Sequence, residues 1–349
     1  MAIYHAVSDD IPGWGIPYRP LLRNGDLQTA AARYWPTSLD ERRWPTETRC
    51  VQTEPGVEVL VESNRQAGSP ATVVAVHGLT GCARANYMQA LSRAALEAGF
   101  SVVRVNVRNC GGTEHLCPTL YHSGLTADLR AVVEQLAPEP VFVIGFSMGG
   151  NMAVKLAGEW GDEAPAHVLG VCGVSAPIWL SAAADEIGRR RNRIYEARFL
   201  YQLGLTLKRK AKACPDAFPP PDLSGLRSLR DFDERFTAPH FGYSSAEDYY
   251  EKASAGPYLG RIGVPTLTIT AADDPFIPFA SYSAEAAFRQ NSALTLLVTG
   301  NGGHVAFLNK GQPRFWAQEQ AVAFFRFLLD REPAEQSAVR SQARRQVVA

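Results

Sequence analysis

The sequence predicts an α/β fold in which a mostly parallel central sheet has flanking helices and a helical cap insertion. Short apolar runs rich in β-branched residues alternate with helical patterns along most of the 349 residues, which is typical of parallel strands joined by right-handed crossovers. One of these runs breaks into Gly-Phe-Ser-Met-Gly between a strand and a helix. The alternation stops over residues 178–257 and then resumes, which indicates an insertion into the sheet domain.

The first half of the chain supplies most of the predicted strands. Residues 1–44 are rich in Pro, Gly and Trp and are expected to form an irregular N-terminal arm. A Pro-Gly pair at positions 55–56 then separates two β-rich runs, which predicts a hairpin. Beyond it, apolar runs predict strands at 71–76, 100–107, 141–144 and 168–174, and amphipathic stretches predict helices at 85–98, 124–136 and 151–157.

The second half begins with the insertion, an amphipathic and helical stretch broken by Pro219-Pro-Pro221. An insertion at this point would lie over the carboxyl ends of the strands, where open α/β sheets bind ligands, so we interpret residues 178–257 as a cap. The core is then assigned to residues 45–177 and 258–330, followed by a flexible C-terminal tail at 331–349. The resumed pattern predicts strands at 265–270 and 293–298, a helix at 279–290 and a final helix.

Composition and charge limit the classes of function. The 35 basic and 35 acidic residues cancel, so no overall field favours nucleic acid as a partner. Six cysteines without a C-x-x-C pair, and no signal-peptide pattern over residues 1–10, favour a cytoplasmic protein with reduced thiols. No apolar run reaches the roughly 18–20 residues that span a bilayer, so we expect no transmembrane segment and leave peripheral membrane contact open.

Two clusters of basic residues make the cap locally positive: Arg189 to Arg191 with Arg193, and Lys208 to Lys210 with Lys212. A solvated helix face is the default interpretation of such clusters. Contact with a lipid head group or an acidic carrier is the alternative.

The strongest motif is Gly145-Phe-Ser-Met-Gly149, which follows a buried strand and precedes a helix. This is the context of a nucleophile elbow, in which small flanking residues let the chain turn sharply and hold a serine hydroxyl at the strand's tip. A tight strand–helix packing turn is the structural alternative. We predict that Ser147 is a catalytic nucleophile.

A serine nucleophile needs a base, and the base needs an orienting acid. In the chain order Ser, acid, His that this motif predicts, the histidines after Ser147 are at 167, 240 and 304. His304 follows a Gly-rich loop after the last predicted strand, so it is the expected base. Thr270-Ala-Ala-Asp-Asp-Pro275 offers two acids, of which Asp274 is preferred and Asp273 is expected to cap the turn.

The developing oxyanion needs hydrogen-bond donors. The amide of Met148, directly after the serine, is one expected donor, and the amide of Leu79, in the loop after the strand at 71–76, is the other. In that loop His77 and Gly78 are expected to shape the turn, and His77 is interpreted as a buried, hydrogen-bonded residue without a role in proton transfer.

Several further residues are expected near the mouth of the site. Asn109 and Cys110 follow a strand, and the thiol is interpreted as a bystander. His115, Cys117 and His122 suggest a metal only weakly, because no fourth ligand is evident, so neither a metal nor a cofactor is expected. The apolar residues expected to line an acyl pocket are Ile178, Trp179, Leu180, Phe199, Leu200 and Leu203.

Taken together, these motifs resemble the α/β-hydrolases, in particular the YheT-like esterase group that is related to the eukaryotic ABHD-type lipid hydrolases. The resemblance spans roughly residues 75–310. In one position the chain departs from it, since Asn109 stands where such proteins usually have glycine, a difference that is expected to narrow the mouth of the site. The matching segments are His77-Gly-Leu-Thr-Gly81, Asn106-Val-Arg-Asn-Cys-Gly-Gly112, Tyr121-His-Ser-Gly124, Gly145-Phe-Ser-Met-Gly-Gly-Asn151, Arg230-Asp-Phe-Asp233, Thr237-Ala-Pro239, Asp248-Tyr-Tyr250, Asp273-Asp-Pro-Phe276 and Gly302-Gly-His304.

The resemblance implies an α/β-hydrolase fold and a serine hydrolase of carboxylic esters with a Ser147–Asp274–His304 triad. The apolar cap favours a small-molecule substrate with a short- to medium-chain acyl group, acylglycerols included. Acyl transfer to an alcohol or thiol through the same acyl-enzyme is the first alternative. A non-catalytic binder on the same fold is the second, disfavoured because a binder has no need of serine, acid and base together.

Overall fold

A computed structural model describes residues 2–5 and 13–346. Its described residues form one nine-stranded sheet in the order β1-β9-β8-β7-β6-β4-β5-β3-β2. The strands are β1 Ala2–His5, β2 Glu47–Glu54, β3 Val57–Asn64, β4 Thr72–Val76, β5 Ser101–Val105, β6 Val141–Phe146, β7 Val168–Val174, β8 Thr266–Ala271 and β9 Leu294–Thr299.

The sheet is parallel except at the edge that carries β2 and β3. These two strands pair antiparallel around the turn at Gly56, whose φ of 74° lies in the left-handed region that glycine adopts readily, and the predicted hairpin is confirmed. Strand β3 pairs antiparallel with β5, and all remaining neighbours pair parallel. The predicted mostly parallel sheet is therefore confirmed.

Helices pack on both faces of the sheet. They are α1 Gly25–Tyr34, α2 Asn86–Glu97, α3 Ala127–Glu134, α4 Met148–Trp160, α5 Leu180–Ile187, α6 Arg193–Ala213, α7 Leu229–Phe232, α8 Ala238–His240, α9 Ala246–Ala253, α10 Ala280–Ser283, α11 Ala287–Gln290 and α12 Trp316–Gln346. A π-helical turn, Asp233–Thr237, joins α7 to α8.

The core forms two apolar layers, one on each side of the sheet. Successive side chains of a strand point to opposite faces, so on β4 Val74 packs in the layer with α3 and α4, and Val73 packs in the layer with α2 and α12. The middle strands are buried on both faces, which is why they read as continuous apolar runs in the sequence.

Three expectations differ from the structure. The N-terminal segment 1–44 contains a helix, α1, capped by the Asn24 side chain, which accepts a hydrogen bond from the Leu27 amide at 2.9 Å. The helix expected at 279–290 is divided into α10 and α11. Helix α12 continues to Gln346 and so occupies most of the expected tail, whose last three residues lie outside the described residues.

Because the strands are parallel, the candidate site residues come together at the carboxyl ends of the strands. The carboxyl ends of β4, β6, β8 and β9 lead into the loops that contain Leu79, Ser147, Asp274 and His304. Between β7 and β8, residues 178–257 form only helices and turns, and their inner side chains join the apolar layer that contains α3 and α4.

Candidate active site

Ser147 lies at a sharp turn between β6 and α4. Its φ of 54° is rare for a residue with a side chain and marks local strain. The turn depends on its glycines, because a Cβ added to Gly145 would lie 1.9 Å from the Gly149 carbonyl oxygen, and one on Gly149 would lie 2.5 Å from the Val76 carbonyl oxygen. The glycines therefore allow a bend that holds the Ser147 hydroxyl at the carboxyl end of β6.

His304 lies in the loop after β9, with its imidazole between the hydroxyl and a carboxylate. Its Nε2 is 2.8 Å from Ser147 Oγ, and its Nδ1 is 2.9 Å from Asp274 Oδ2. The ring also contacts Phe276, with 4.7 Å between ring centroids. The three residues selected from the sequence thus form a continuous hydrogen-bonded chain.

The two neighbouring carboxylates after β8 make different contacts. Asp274 is buried, and its Oδ1 accepts hydrogen bonds from the amides of Phe276 and Ile277 at 2.9 and 3.1 Å. Asp273 instead accepts from the amides of Gly302 and Gly303 at 2.7 and 2.9 Å. Asp274 therefore contacts the imidazole, and Asp273 fastens the loop that carries it.

The amides of Leu79 and Met148, the two expected oxyanion donors, both lie beside Ser147. Both residues line the same pocket as Ser147. Within the described part of the chain, neither amide donates a hydrogen bond to a protein acceptor. Met148 is the first residue of α4, where helical amides have no intrahelical partner and the helix dipole favours negative charge.

Three residues that were expected around the mouth lie deeper in the protein. His77, Asn109 and Cys110 are buried beneath the site and do not line the pocket. His77 Nε2 accepts a hydrogen bond from the Val107 amide at 3.1 Å, and burial lowers the pKa of His77 to about 4, which keeps the ring neutral. Burial also raises the pKa of the Cys110 thiol to about 12, so it is a poor nucleophile.

The substitution of asparagine for the usual glycine at position 109 has a conformational explanation. Asn109 has a φ of 61°, and asparagine tolerates this left-handed region better than other residues with a side chain. Its Nδ2 donates to the Thr119 carbonyl oxygen at 2.9 Å, directed into the protein. The expected narrowing of the mouth by Asn109 is wrong for this reason.

A pocket of about 980 Å³, its open mouth included, lies beside Ser147 and His304. Helices α5 and α6 supply an apolar wall. Its residues include Leu180, Ala183, Ile187, Phe199, Leu203 and Leu207.

Among the six apolar residues predicted to line this pocket, Leu180, Phe199 and Leu203 do so. The other three, Ile178, Trp179 and Leu200, do not. Trp179 packs on Gly256, where a Cβ would lie 2.4 Å from the indole ring, and Ile178 is buried in the core. The prediction was wrong for them because apolar character alone does not tell a pocket wall from the core beneath it.

One polar group inside the pocket was missed by sequence reasoning. Asp233 and Thr237 occupy the two ends of the π-helical turn and both face the pocket. The Thr237 and Tyr250 hydroxyls donate to the Asp233 carboxylate, each at 2.7 Å. Burial raises the pKa of Asp233 to about 6. The matched segments around 230–250 pointed to this region without indicating a role.

Helix α1 also contacts the site, which an irregular arm would not. The Thr29 hydroxyl accepts a hydrogen bond from the His304 amide at 2.8 Å. A Cβ on Gly25 would lie 1.9 Å from the Asp273 carbonyl oxygen, so α1 packs directly against the loops that carry the carboxylates and the imidazole. The Asn24 cap was the sequence signal for this helix.

Two kinds of feature are absent from the described residues. These residues contain no cluster of three or more His, Cys, Asp or Glu side chains arranged to hold a metal ion. Among their helices, none is both long and apolar enough to cross a lipid bilayer.

The chain is similar to known proteins over most of its length. Residues 71–311 match the family described as the alpha/beta hydrolase fold. YheT of Escherichia coli, named as an esterase, is 33% identical over 267 residues, which cover 74% of this chain and 77% of YheT. Phospholipase ABHD3 of Mus musculus is 32% identical over 257 residues, covering 71% of this chain and only 61% of the phospholipase.

The fold is also that of a solved esterase. Esterase Pf2001 of Pyrococcus furiosus superposes with a TM-score of 0.57 at 18% identity, covering 91% of this chain and 98% of the esterase. The family match extends over most of the chain and includes every loop of the candidate site. The chain therefore belongs to the α/β-hydrolase family, in the group that includes YheT and ABHD3.

Proposed function

We propose that this protein hydrolyses carboxylic esters through an acyl-enzyme on Ser147. The observation that carries the proposal is the hydrogen-bonded series of Ser147, His304 and Asp274 beside an apolar pocket. Relatives named as esterase and phospholipase support ester cleavage as the reaction class.

In the first half of the reaction, Ser147 Oγ attacks the ester carbonyl carbon while His304 Nε2 takes the hydroxyl proton. Asp274 accepts a hydrogen bond from Nδ1–H of His304, which keeps the imidazole in the tautomer that presents a basic Nε2 to the serine. The Leu79 and Met148 amides bind the oxyanion, and His304 then gives its proton to the departing alcohol.

In the second half, water takes the place of the alcohol. His304 removes a proton from the water, and the water oxygen attacks the acyl carbon. The imidazolium then gives this proton to Ser147 Oγ as the acid leaves, which restores the hydroxyl. Every proton in this cycle passes through His304, so the reaction needs no metal and no organic cofactor.

The pocket supports an acyl chain as the substrate's apolar part. We propose residues 178–257 as a cap whose helices α5 and α6 form the acyl wall, with Phe199 and Leu203 in contact with the chain. The apolar lining from α5 and α6 suits short- to medium-chain acyl esters, acylglycerols among them. Asp233 offers a hydrogen-bond acceptor to a hydroxyl on the substrate.

A fluorophosphonate probe tests the nucleophile directly. The wild-type protein should be labelled and Ser147→Ala should not be. Ser123, the other serine that lines the pocket, gives the matched control, and Ser123→Ala should retain the label. An unlabelled wild type, or undiminished labelling of S147A, would overturn the proposal.

The products distinguish hydrolysis from acyl transfer. With a short-chain ester and increasing concentrations of an added alcohol, hydrolysis yields free acid throughout. A rise of the new ester at the expense of free acid would assign the enzyme to acyl transfer instead.

A further inference from the structure

Helix α6 separates the pocket from the outside of the molecule. Its inner side chains, Phe199 and Leu203 among them, line the pocket. On its outer side Ile194 is 85% exposed and Tyr201 is 63% exposed. These two residues are seven positions apart, so they lie on the same face of the helix, about 10 Å apart along its axis.

The same kind of exposure recurs on α1. Among the described residues, the large apolar side chains classed as exposed are Leu27, Tyr34, Ile194 and Tyr201, and all four belong to α1 or α6. The two helices approach each other where Tyr195 of α6 lies near Asp26 of α1. Leu27 and Ile194 are each one residue from this contact. The exposed apolar side chains therefore belong to two neighbouring helices, of which α6 lines the pocket.

The segment that contains α6 is also rich in basic side chains. Residues 189–212 contain nine basic side chains and one acidic side chain, Glu196, which is buried and accepts a hydrogen bond from the Leu229 amide. Lys210 is also buried and donates to the Glu114 and Cys117 carbonyl oxygens, so it does not belong to the solvated face expected from the sequence. The other eight basic side chains are exposed, in a chain whose net charge is zero. Of these, Arg189 and Arg191 pair with Glu186, and Arg209 pairs with Glu114.

We infer that the outer face of α6, together with the exposed side chains of α1, binds the surface of an anionic lipid membrane. Basic side chains are attracted to anionic head groups, and isoleucine and tyrosine side chains insert at the boundary between head groups and acyl chains. An acidic protein would complement the charge but does not explain why the exposed apolar side chains share the basic face.

Binding in this orientation would place the roof of the pocket against the membrane. Phe199 and Phe276, whose rings are 5.7 Å apart, connect α6 to His304, so only one helix lies between the membrane surface and the reacting groups. The binding of the protein to a membrane does not depend on the proposed function. The entry of a lipid ester from that membrane into the pocket does rest on it.

Vesicle co-sedimentation of the full chain tests the inference. The probes are vesicles of phosphatidylcholine alone and vesicles of phosphatidylcholine mixed with phosphatidylglycerol. Wild-type protein should bind the mixed vesicles in preference and be released by salt. The variant R193E/R198E should weaken binding at least about tenfold, since each basic residue near such a surface contributes roughly a fivefold factor. The variant I194S/Y201S should weaken binding at least about tenfold as well, because it removes the apolar side chains that insert below the head groups.

The matched control is R42E/R49E, which makes the same charge change on exposed residues before and within the edge strand β2. This control should bind like the wild type. Absence of binding to mixed vesicles, or equal binding by the α6 variants, would overturn the inference. Equally tight binding to soluble polyglutamate that I194S/Y201S leaves unchanged would assign the face to an acidic protein and also overturn it.

Fluorophosphonate labelling of the same preparations separates this inference from the proposed function. Labelled protein that does not bind vesicles would overturn membrane binding alone. Bound protein that is not labelled would support membrane binding and overturn the proposed nucleophile. Equal labelling of the α6 variants and the wild type would show that those variants are folded.

Discussion

Asp273 and Asp274 are adjacent in sequence and chemically identical, yet they contact different partners. Asp274 accepts from His304 and from two amides of its own turn, and Asp273 accepts from two amides of the histidine loop. The sequence could predict that one of them faces the histidine, because both follow β8. The direction of each side chain depends on the turn, which the chain order does not specify.

Exchange of each carboxylate for an amide should separate these two arrangements. Asp274→Asn should lower kcat on the order of 10⁴-fold, because the amide favours the wrong imidazole tautomer. Asp273→Asn should lower it by no more than about tenfold, because an amide oxygen still accepts from Gly302 and Gly303. Steady-state kinetics on one soluble ester measures both variants. A larger loss in D273N than in D274N would reverse the assignment of the acid.

At the scale of elements, α1 is the part of the candidate site that sequence reasoning missed. Strand and helix periodicity located the central strands and the helices α2 to α4, because each has a long apolar face. Helix α1 is short, and its buried residues, Gly25 and Gln28, are not apolar markers. Its contact with the site depends on Gly25 and on the hydrogen bond to Thr29, which periodicity does not detect.

The contact between α1 and His304 predicts a role for Thr29 in positioning. Thr29→Val removes the acceptor of the His304 amide and leaves that amide unpaired, which costs about 1–3 kcal/mol. We expect kcat to fall about tenfold or more with little change in KM, because the pocket itself is intact. Thr29→Ser keeps the hydroxyl and should restore kcat. Equal kcat in T29V and the wild type would show that α1 does not position the imidazole.

The cap illustrates the limit of prediction at the same scale. Its helical character followed from the sequence, and half of the six predicted pocket residues line the cavity. Residues 178 and 179 precede α5 rather than lie on it, and no periodic pattern fixes where such a connection packs. The polar end of the pocket depends on a π-helical turn, which brings residues 233 and 237 onto one side and has no simple sequence signature.

For the whole molecule, buried titratable groups make stability depend on pH. Burial lowers the pKa of His77 to about 4 and that of His122 to about 3, whereas the unfolded chain binds these protons near pH 6.5. Below pH 6.5 the unfolded state therefore binds more protons, and stability falls as pH falls from 6.5 to about 4. Asp233 opposes this effect, since its raised pKa of about 6 favours the folded state as pH falls toward the ordinary value of 3.8. Burial also lowers the pKa of His240, which adds to the loss on acidification, and raises the pKa values of Glu196 and Glu319, which oppose it. Substitution of a single histidine isolates its own share.

His122→Phe should reduce this pH dependence without a large loss of packing, because His122 lies among aromatic rings, with 4.4 Å between its centroid and that of Phe241. Between about pH 7 and pH 5, the wild type should lose roughly 2 kcal/mol more free energy of unfolding than the variant, at 1.36 kcal/mol per unit of pKa difference. Urea unfolding at both pH values measures this difference. His115 is exposed, and His115→Phe is the matched control that should keep the wild-type dependence. Equal losses in H122F and the wild type would mean that the His122 ring takes up a proton in the folded protein as readily as in the unfolded chain, and that the aromatic group around it is open to water at the mouth of the pocket.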